Sequence, residues 1–214
     1  MVVKRCALGL AALVVILSAM TACSSDNDAA TNTPGSSAPT VPGAGTGLDA
    51  ARLEALLITD VPGGYTVLAD DVGDTGPSDL AKAIKDDGAA DAEQQLAAEG
   101  FVAGYQRAWS NSSDDRLLID LYEYREASGA AAWYARYLVS ARKAQPPGTI
   151  DLTVSFPGSD QGAGFSGTAQ GTTFVPLVAQ VGTFVVRVTS YGSEEVDHQA
   201  LATPIMDDQI SRVT

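Results

Sequence analysis

Aromatic side chains are concentrated between residues 101 and 137, where their rings could hold an apolar ligand. Aromatic rings supply large apolar contact areas, and Tyr and Trp add a polar atom at one end. Apolar ligand cavities commonly lie between packed elements such as a sheet and a helix. The same residues, with Tyr134, could instead simply form the domain core. The candidate ligand-binding residues are Tyr105, Trp109, Tyr122, Tyr124, Trp133 and Tyr137.

A catalytic serine needs a base, and the chain contains a single histidine, His198. It follows Glu194, Glu195 and Asp197 near the start of the last predicted helix, where we expect it to be exposed. The sequence has no Gly-x-Ser-x-Gly motif to hold a nucleophile on a strained turn. One histidine also supplies too few ligands for catalytic zinc. We therefore predict no catalytic residue, no metal site and no cofactor.

Paired carboxylates are the other route to catalysis, because glycosidases place two acids on either side of the scissile bond. Asp120 and Glu123 flank Tyr122 on a predicted strand. Because they are three residues apart, we expect them to face opposite sides of that strand. A hydrolase of cell-envelope carbohydrate that uses paired carboxylates is kept as the alternative function.

Two loops partly match known ligand-binding loops. Asp70, Asp71 and Asp74 could gather around calcium, although their spacing differs from that of the EF-hand and a solvated turn explains them equally. The glycine-rich segment 158–171 lacks the strand-then-helix context of a phosphate-binding loop, and we predict a mobile hairpin tip there.

Residue alternation predicts a β-hairpin with strands over 101–109 and 117–124. Phe101, Tyr105 and Trp109 would then share one face of the first strand. A helix over 127–143 follows, with aromatic residues at three- and four-residue spacing, and it could cover that face.

Elements before this hairpin are predicted to be mostly helical. Asp49 is a candidate N-cap for a helix that includes Leu53 and Leu57. Residues 65–69 are predicted as a strand. Ser78 is predicted to cap a helix over 79–85, and a further short helix covers 91–99.

After the long helix the pattern returns to strands, at 150–156 and 164–168, and then to a tight hairpin formed by 173–181 and 183–191. Pro176 lacks an N–H, so we expect it on an edge strand or at a bulge. A terminal helix over 194–213 should kink or restart at Pro204.

Consecutive hairpins imply an antiparallel sheet, and its apolar faces need helices to cover them. We therefore predict an α+β fold, an antiparallel sheet with helices packed on its faces, as a single domain spanning 48–214.

The N-terminus has the features of an export signal. Lys4 and Arg5 precede a short apolar run, and Ser18-Ala19-Met20-Thr21-Ala22-Cys23 resembles the bacterial lipobox, with Met20 in place of the usual leucine. We predict a signal peptide over 1–22, cleavage before Cys23, and lipidation of Cys23. Residues 23–47 are rich in Ser, Thr, Pro and Gly and form a tether, which would also fit a wall-spanning or glycosylated stalk.

The two cysteines and the charge restrict the mature chain further. Cys6 lies inside the predicted signal, so Cys23 would remain alone and no intrachain disulfide could form. Removing Lys4 and Arg5 from the 13 basic residues leaves 11 against 26 acidic ones, a formal charge of −15. That charge disfavours nucleic acid as a partner, and membrane attachment would come from the acyl chains on Cys23.

The chain resembles the short α+β lipoproteins of actinobacteria, including those with the PsbP fold, and the extracellular sensor domains of mycobacterial membrane kinases. The resemblance rests on the lipobox, the tether, the strand at 100–105, and the closing hairpin at 178–188 followed by a helix. The kinase sensor domains carry disulfides, which the mature chain could not form. The PsbP-like lipoproteins are therefore the closer comparison. No catalytic residue transfers from either group.

The resemblance implies a binding or accessory protein. We therefore expect a non-enzymatic lipoprotein of the cell envelope, lipid-anchored on the extracytoplasmic face of the membrane. It would bind an apolar small molecule or an envelope protein through the sheet-helix face or the glycine-rich loop. A purely accessory subunit is a third possibility.

Overall fold

A computed structural model describes residues 48–70, 72 and 75–214. The predicted signal peptide, the tether and Cys23 lie outside these residues, as do Asp71 and Asp74 of the candidate calcium loop.

The described residues form five helices and eight strands, which alternate in groups along the chain. In order they are α1 (Ala50–Leu56), β1 (Thr66–Val67), β2 (Gly76–Ser78), α2 (Leu80–Asp87), α3 (Ala92–Glu99), β3 (Phe101–Ser110), β4 (Arg116–Tyr124), α4 (Ala127–Ala144), β5 (Ile150–Leu152), β6 (Gln161–Ala169), β7 (Thr172–Val181), β8 (Phe184–Ser193) and α5 (His198–Ser211). The predicted strands at 65–69 and 150–156 are shorter than expected, and the terminal helix starts four residues later.

The strands form one eight-stranded sheet in the order β1-β3-β4-β8-β7-β6-β5, and β2 also pairs with β3. Every pairing is antiparallel. Both predicted hairpins are present, as β3–β4 and β7–β8, and β4 pairs with β8 to join them. The predicted α+β fold, with helices packed on an antiparallel sheet, is confirmed.

Helices cover both faces of the sheet and enclose two separate apolar cores. On one face α1 and α5 pack on aliphatic strand residues such as Ile119, Leu177 and Val188. On the other face α2, α3 and α4 pack on a core that is rich in aromatic side chains. The buried amide of Gln209 ties α5 to the end of α1, because it accepts from the N–H of Ile58 (3.1 Å) and donates to the carbonyl of Leu56 (3.0 Å).

Aspartate side chains cap the first two helices. Asp49 caps α1, as predicted, by accepting from the N–H of Arg52 at 2.9 Å. The cap of α2 is Asp79 rather than Ser78, because the Asp79 carboxylate accepts from the N–H of Lys82 while Ser78 is part of β2.

Both prolines expected to interrupt an element lie inside one. β7 has neighbours on both sides, so Pro176 is not on an edge strand. The β6–β7 pairing has a gap at Pro176, between the pairs Gly164↔Leu177 and Gly167↔Phe174. Both pairs belong to the same register, so the missing N–H interrupts the pairing but does not produce a bulge. α5 continues through Pro204 without restarting.

Most of the glycine-rich segment is a strand, and only Gln170 and Gly171 form the tip of the β6–β7 hairpin. β6 takes up Gln161–Ala169, and its glycines leave room for side chains of neighbouring elements. A Cβ at Gly164 would lie 2.6 Å from Leu177 Cδ2, and one at Gly167 would lie 2.5 Å from Phe174 Cζ. These glycines therefore permit close packing of the sheet and leave no loop for a ligand.

His198 is buried, which contradicts the expectation of an exposed side chain. Its Nε2 lies 3.1 Å from the carbonyl oxygen of Ser193, which can only accept, so Nε2 donates there, and its Nδ1 forms a hydrogen bond of 2.7 Å with the Ser190 hydroxyl. The ring thus fastens the start of α5 to β8. The sequence could not show this because both partners belong to the preceding strand.

The carboxylate of Asp115 lies beside this contact and fixes the end of β8. Its Oδ1 accepts from the N–H of Ser193 at 2.7 Å, and its Oδ2 accepts from the side-chain amide of Asn111 at 3.0 Å. Burial by itself would raise the pKa of Asp115, but these hydrogen bonds and the nearby His198 lower it below its ordinary value.

Gly129 sets the close approach of α4 to α3. A Cβ built at this position would lie 1.8 Å from the carbonyl oxygen of Glu99, the last residue of α3.

We expect Gly129→Ala to lower the free energy of unfolding by about 1–3 kcal/mol, because the two helices must separate. Urea denaturation measures the change. The control Ser128→Ala, at an exposed neighbouring position, should leave stability unchanged or slightly raised, and an equal effect of both variants would contradict the packing argument.

Asp115 should also make stability depend on acid pH. Because its pKa is lower in the folded chain than its ordinary value of 3.8, its contribution is present above that value and is lost as the pH falls through the folded value. Asp115→Asn should lower the unfolding free energy by about 1–2 kcal/mol at pH 7 and reduce the further loss as the pH falls below 3.8. The measurement is urea unfolding at several pH values, with the neighbouring Asp114→Asn as control. Parallel pH profiles for the wild-type chain and Asp115→Asn would refute this.

Candidate functional site

A cavity of about 200 Å³ lies between the sheet and helices α2, α3 and α4. Taking about 30 Å³ per water molecule, this is the volume of about seven waters, so a ligand that fits it is smaller than a typical drug molecule. The apolar part of its lining consists of Ala83, Leu96, Phe101, Tyr122, Tyr124, Trp133, Tyr137, Ala141 and Ala144.

Aromatic rings form the wall of the cavity along β4 and α4. The rings of Trp133 and Tyr137, one turn apart on α4, stack with centroids 5.0 Å apart and planes 8° apart. Tyr122 approaches Trp133 at 5.8 Å and lies over Gly104, where a Cβ would be 2.4 Å from Tyr122 Cδ1. The absence of a side chain at Gly104 therefore allows the Tyr122 ring to occupy its place in the wall.

The six predicted ligand-binding residues divide between the two faces of the sheet. Tyr122, Tyr124, Trp133 and Tyr137 line the cavity. Tyr105 and Trp109 lie in the other core, against α1 and α5. The structure therefore does not bring these two residues to the cavity, because strand alternation directs residues 105 and 109 away from the face that carries residues 122 and 124.

Phe101 joins the cavity although alternation grouped it with Tyr105 and Trp109. A β-bulge between Phe101 and Ala103 shifts the register and turns the Phe101 ring to the α4 side. There it meets Tyr122 and Tyr124 edge-on, at 6.0 and 5.9 Å. A bulge leaves no clear mark in the sequence, beyond the glycine that precedes Phe101.

Arg136 forms a charged cluster at one part of the cavity lining. Its guanidinium donates through Nε and Nη2 to both oxygens of Glu99, at 2.7 and 2.9 Å, and through Nη1 to Asp87 at 2.6 Å. The hydrogen bond to Glu99 and the one to Asp87 hold the pKa of Arg136 above its ordinary value. With its three nitrogens engaged, this arginine links α2, α3 and α4 together.

Arg187 and Asp120 form a second ion pair beneath the cavity, directly opposite each other on β8 and β4. Arg187 Nε lies 2.5 Å from Asp120 Oδ2. Asp120 is fully buried, whereas 23% of the Arg187 side chain is exposed and contributes to the cavity lining. The guanidinium also lies over the Tyr137 ring, 5.5 Å from its centroid. Burial alone would lower the pKa of Arg187, but Asp120 raises it well above the ordinary value.

Some buried polar atoms at this face have no hydrogen-bond partner among the described residues, and they include the hydroxyl of Tyr124 on the cavity wall and Oδ1 of Asp120 beneath it. Burial is the main cause that raises the pKa of the Tyr124 phenol, so this hydroxyl is a neutral donor. By contrast the Tyr122 hydroxyl accepts from the side-chain amide of Gln106 at 2.9 Å, and Lys82 donates to the other end of that amide. Buried polar groups usually have partners, which makes the Tyr124 hydroxyl on the cavity wall a candidate ligand contact.

The predicted pair of acids does not converge. Asp120 faces α4 and pairs with Arg187, whereas Glu123 accepts from the N–H of Leu48 at 2.6 Å on the α1 side. Burial raises the pKa of Glu123. The expectation that the two face opposite sides of β4 is confirmed, and it separates them by the thickness of the sheet.

The candidate calcium loop is described only in part. Asp70 accepts from the hydroxyl of Tyr105 at 2.6 Å, and burial together with this contact raises the pKa of Tyr105 to about 12. Within residues 48–70, 72 and 75–214, no group of three or more histidine, cysteine or acidic side chains is placed to hold a metal ion.

Sequence reasoning missed the charged members of the cavity lining, Arg136 and Arg187. One signal was available for Arg187, because a cation within the apolar run Val185-Val186-Arg187-Val188 needs a partner or a polar surface. No comparable signal existed for Arg136, which lies on an ordinary amphipathic helix.

No protein-family profile matches the chain, and no curated protein matches its sequence. The extracellular domain of PknH from Mycobacterium tuberculosis is similar in structure, with 14% identity and a TM-score of 0.46 over 77% of this chain and 97% of that one. A protein of undetermined function from Mycobacterium smegmatis is 13% identical, with a TM-score of 0.41 over 77% of this chain and 94% of that one. Among the described residues, no helix combines the length and hydropathy needed to cross a membrane. The resemblances to kinase sensor domains and to PsbP-like lipoproteins stay predictions.

Proposed function

We propose that the chain is a non-enzymatic binding domain of the cell envelope whose ligand occupies the cavity between α4 and the sheet. The observation that carries this proposal is an aromatic-lined space whose wall includes a buried Tyr124 hydroxyl without a partner among the described residues. Close packing would leave no such space, and the unpaired hydroxyl places a hydrogen-bond donor on its wall.

A binding role accounts for the polar residues better than catalysis does. Ser190 and His198 form the one hydrogen bond between a serine side chain and a histidine side chain in the described part of the chain, but they are 0% and 1% exposed and serve to anchor α5. The acids near the cavity each hold a cation, and Glu123 lies on the opposite face. The envelope carbohydrate hydrolase is therefore the weaker alternative.

The location of this domain rests on the N-terminal sequence. A basic start, a short apolar run and a lipobox-like segment support export, cleavage after residue 22 and attachment to the membrane through lipid on Cys23. The acidic charge of the chain supports a small molecule or an envelope protein as partner rather than nucleic acid.

Occupancy of the cavity can be tested by filling it. Residues 24–214, which lack both the predicted signal and Cys23, are purified without detergent and measured by native mass spectrometry, with organic extraction of whatever copurifies. We expect a discrete adduct on the wild-type chain and its loss in Ala83→Leu, because residue 83 lines the cavity and the larger side chain takes up its volume. The control Ala81→Leu, at an exposed position of the same helix, should keep the adduct. A clean apo mass for the wild-type chain would favour the role of a protein-binding accessory subunit.

Lipidation can be tested in a bacterial host that acylates lipoproteins. Metabolic labelling with an alkyne fatty acid should mark the wild-type chain and leave Cys23→Ser unlabelled and released from the membrane fraction, because the acyl chains attach to that sulfur. Cys6→Ser is the matched control and should be labelled like the wild type. Label retained in Cys23→Ser would contradict the proposed anchor.

A further inference from the structure

We propose that the cavity selects amphiphiles that end in an oxyanion, a carboxylate or a phosphate, and that Arg187 binds this end. The inference rests on the proposed ligand-binding function and adds the chemical class of the ligand. It depends on which hydrogen-bond donors of the arginines at the cavity already have a partner and which do not.

Of the described cations that line the cavity, Arg136 already donates through Nε, Nη1 and Nη2 to two carboxylates. Arg187 donates to Asp120 through Nε, and neither its Nη1 nor its Nη2 donates to a described residue. These two terminal nitrogens belong to a side chain that is 23% exposed and lines the cavity. A guanidinium with both Nη groups available presents the planar fork that binds carboxylate and phosphate through two parallel hydrogen bonds.

The surroundings of Arg187 hold the fork in place before a ligand arrives. Asp120 fixes one edge of the guanidinium from the buried floor of the sheet, and the Tyr137 ring lies against its face at 5.5 Å. A preorganised donor loses less conformational entropy on binding than a free surface arginine. Asp120 also balances the charge of the unliganded site, so an anion binds to a dipolar pair rather than to an isolated buried cation.

The apolar body of such a ligand has a matching surface. Trp133 and Tyr137 stack on one another beside Arg187, and Tyr122 belongs to the same aromatic wall, 5.8 Å from Trp133. A volume of about 200 Å³ suits a short chain or a single ring. The ligand would therefore place its oxyanion at Arg187 and its hydrocarbon part along the rings.

Isothermal titration calorimetry on residues 24–214 tests the inference with four probes that share one eight-carbon chain: octanoate, octyl phosphate, octan-1-ol and octylammonium. This form of the chain is used because detergent, which the acylated form requires, would compete for the cavity. We expect one of the two anions to bind at least about tenfold more tightly than the alcohol, the size of one charge-assisted hydrogen bond. The preferred anion then separates a carboxylate end from a phosphate end.

Two matched variants locate the contact. Arg187→Lys keeps the positive charge next to Asp120 but loses the planar fork, so the anion should bind about tenfold more weakly. Arg107→Lys is the control, because Arg107 also pairs with a carboxylate, Glu54, and lies over an aromatic ring, Tyr105, but on the opposite face of the sheet. It should leave the affinity unchanged. Thermal unfolding of each variant checks that it is folded. If Arg187→Lys does not fold, the comparison of the four probes on the wild-type chain tests the oxyanion inference by itself.

Equal or tighter binding of octan-1-ol or octylammonium would overturn the oxyanion inference while leaving the cavity as a ligand site. If both arginine variants weaken binding of the anion equally, the loss comes from lower stability and not from a lost contact with Arg187, and the inference is overturned as well. If none of the four probes binds, the inference fails, and the adduct experiment with Ala83→Leu decides separately whether the cavity holds a ligand at all.

Discussion

The pairing of β4 with β8 is the interaction on which the rest of the domain depends. It runs from Arg116↔Tyr191 to Glu123↔Phe184 and joins a hairpin from the middle of the chain to one near its end. Without it there would be two small sheets, each with an exposed edge. The pairing also places Asp120 directly opposite Arg187, so a single register decides whether the buried carboxylate has a cation beside it. A slip of one residue would turn Arg187 to the aliphatic core and leave Asp120 alone.

The two faces of this sheet are packed differently, and the difference produces the cavity. On the α5 face, side chains such as Leu177, Val188 and Met206 are fully buried and interlock. On the α4 face the strands contribute large rings, while the helices contribute many small residues, among them Ala83, Ala130 and Ala141. Stacked rings are rigid and cannot collapse onto the space that small residues leave. A gap therefore persists where a smaller or more flexible set of side chains would have closed it.

Polar contacts hold the helices of each face together. Arg136 holds three helices together through Asp87 and Glu99, and Gln209 links the helices of the opposite face. Such contacts contribute more when they are partly shielded from solvent, as these are. They also fix the borders of the cavity, because Arg136 and Asp87 belong to its lining. The stability of the domain and the shape of its candidate site thus share residues.

The sequence by itself determined the local structure. Alternation marked both hairpins, helical spacing marked α4, and Asp49 marked the start of α1, because these signals depend on neighbours within a few residues. It also identified four of the five aromatic residues of the cavity wall. The tertiary structure decided what depends on distant neighbours. These were the faces taken by Tyr105, Trp109 and the bulged Phe101, the burial of His198 against β8, the place of Pro176 in an interior strand, and the partner of Arg187. A strand has two faces and many possible neighbours, so only the register of β4 with β8 and the packing of α4 could choose among them.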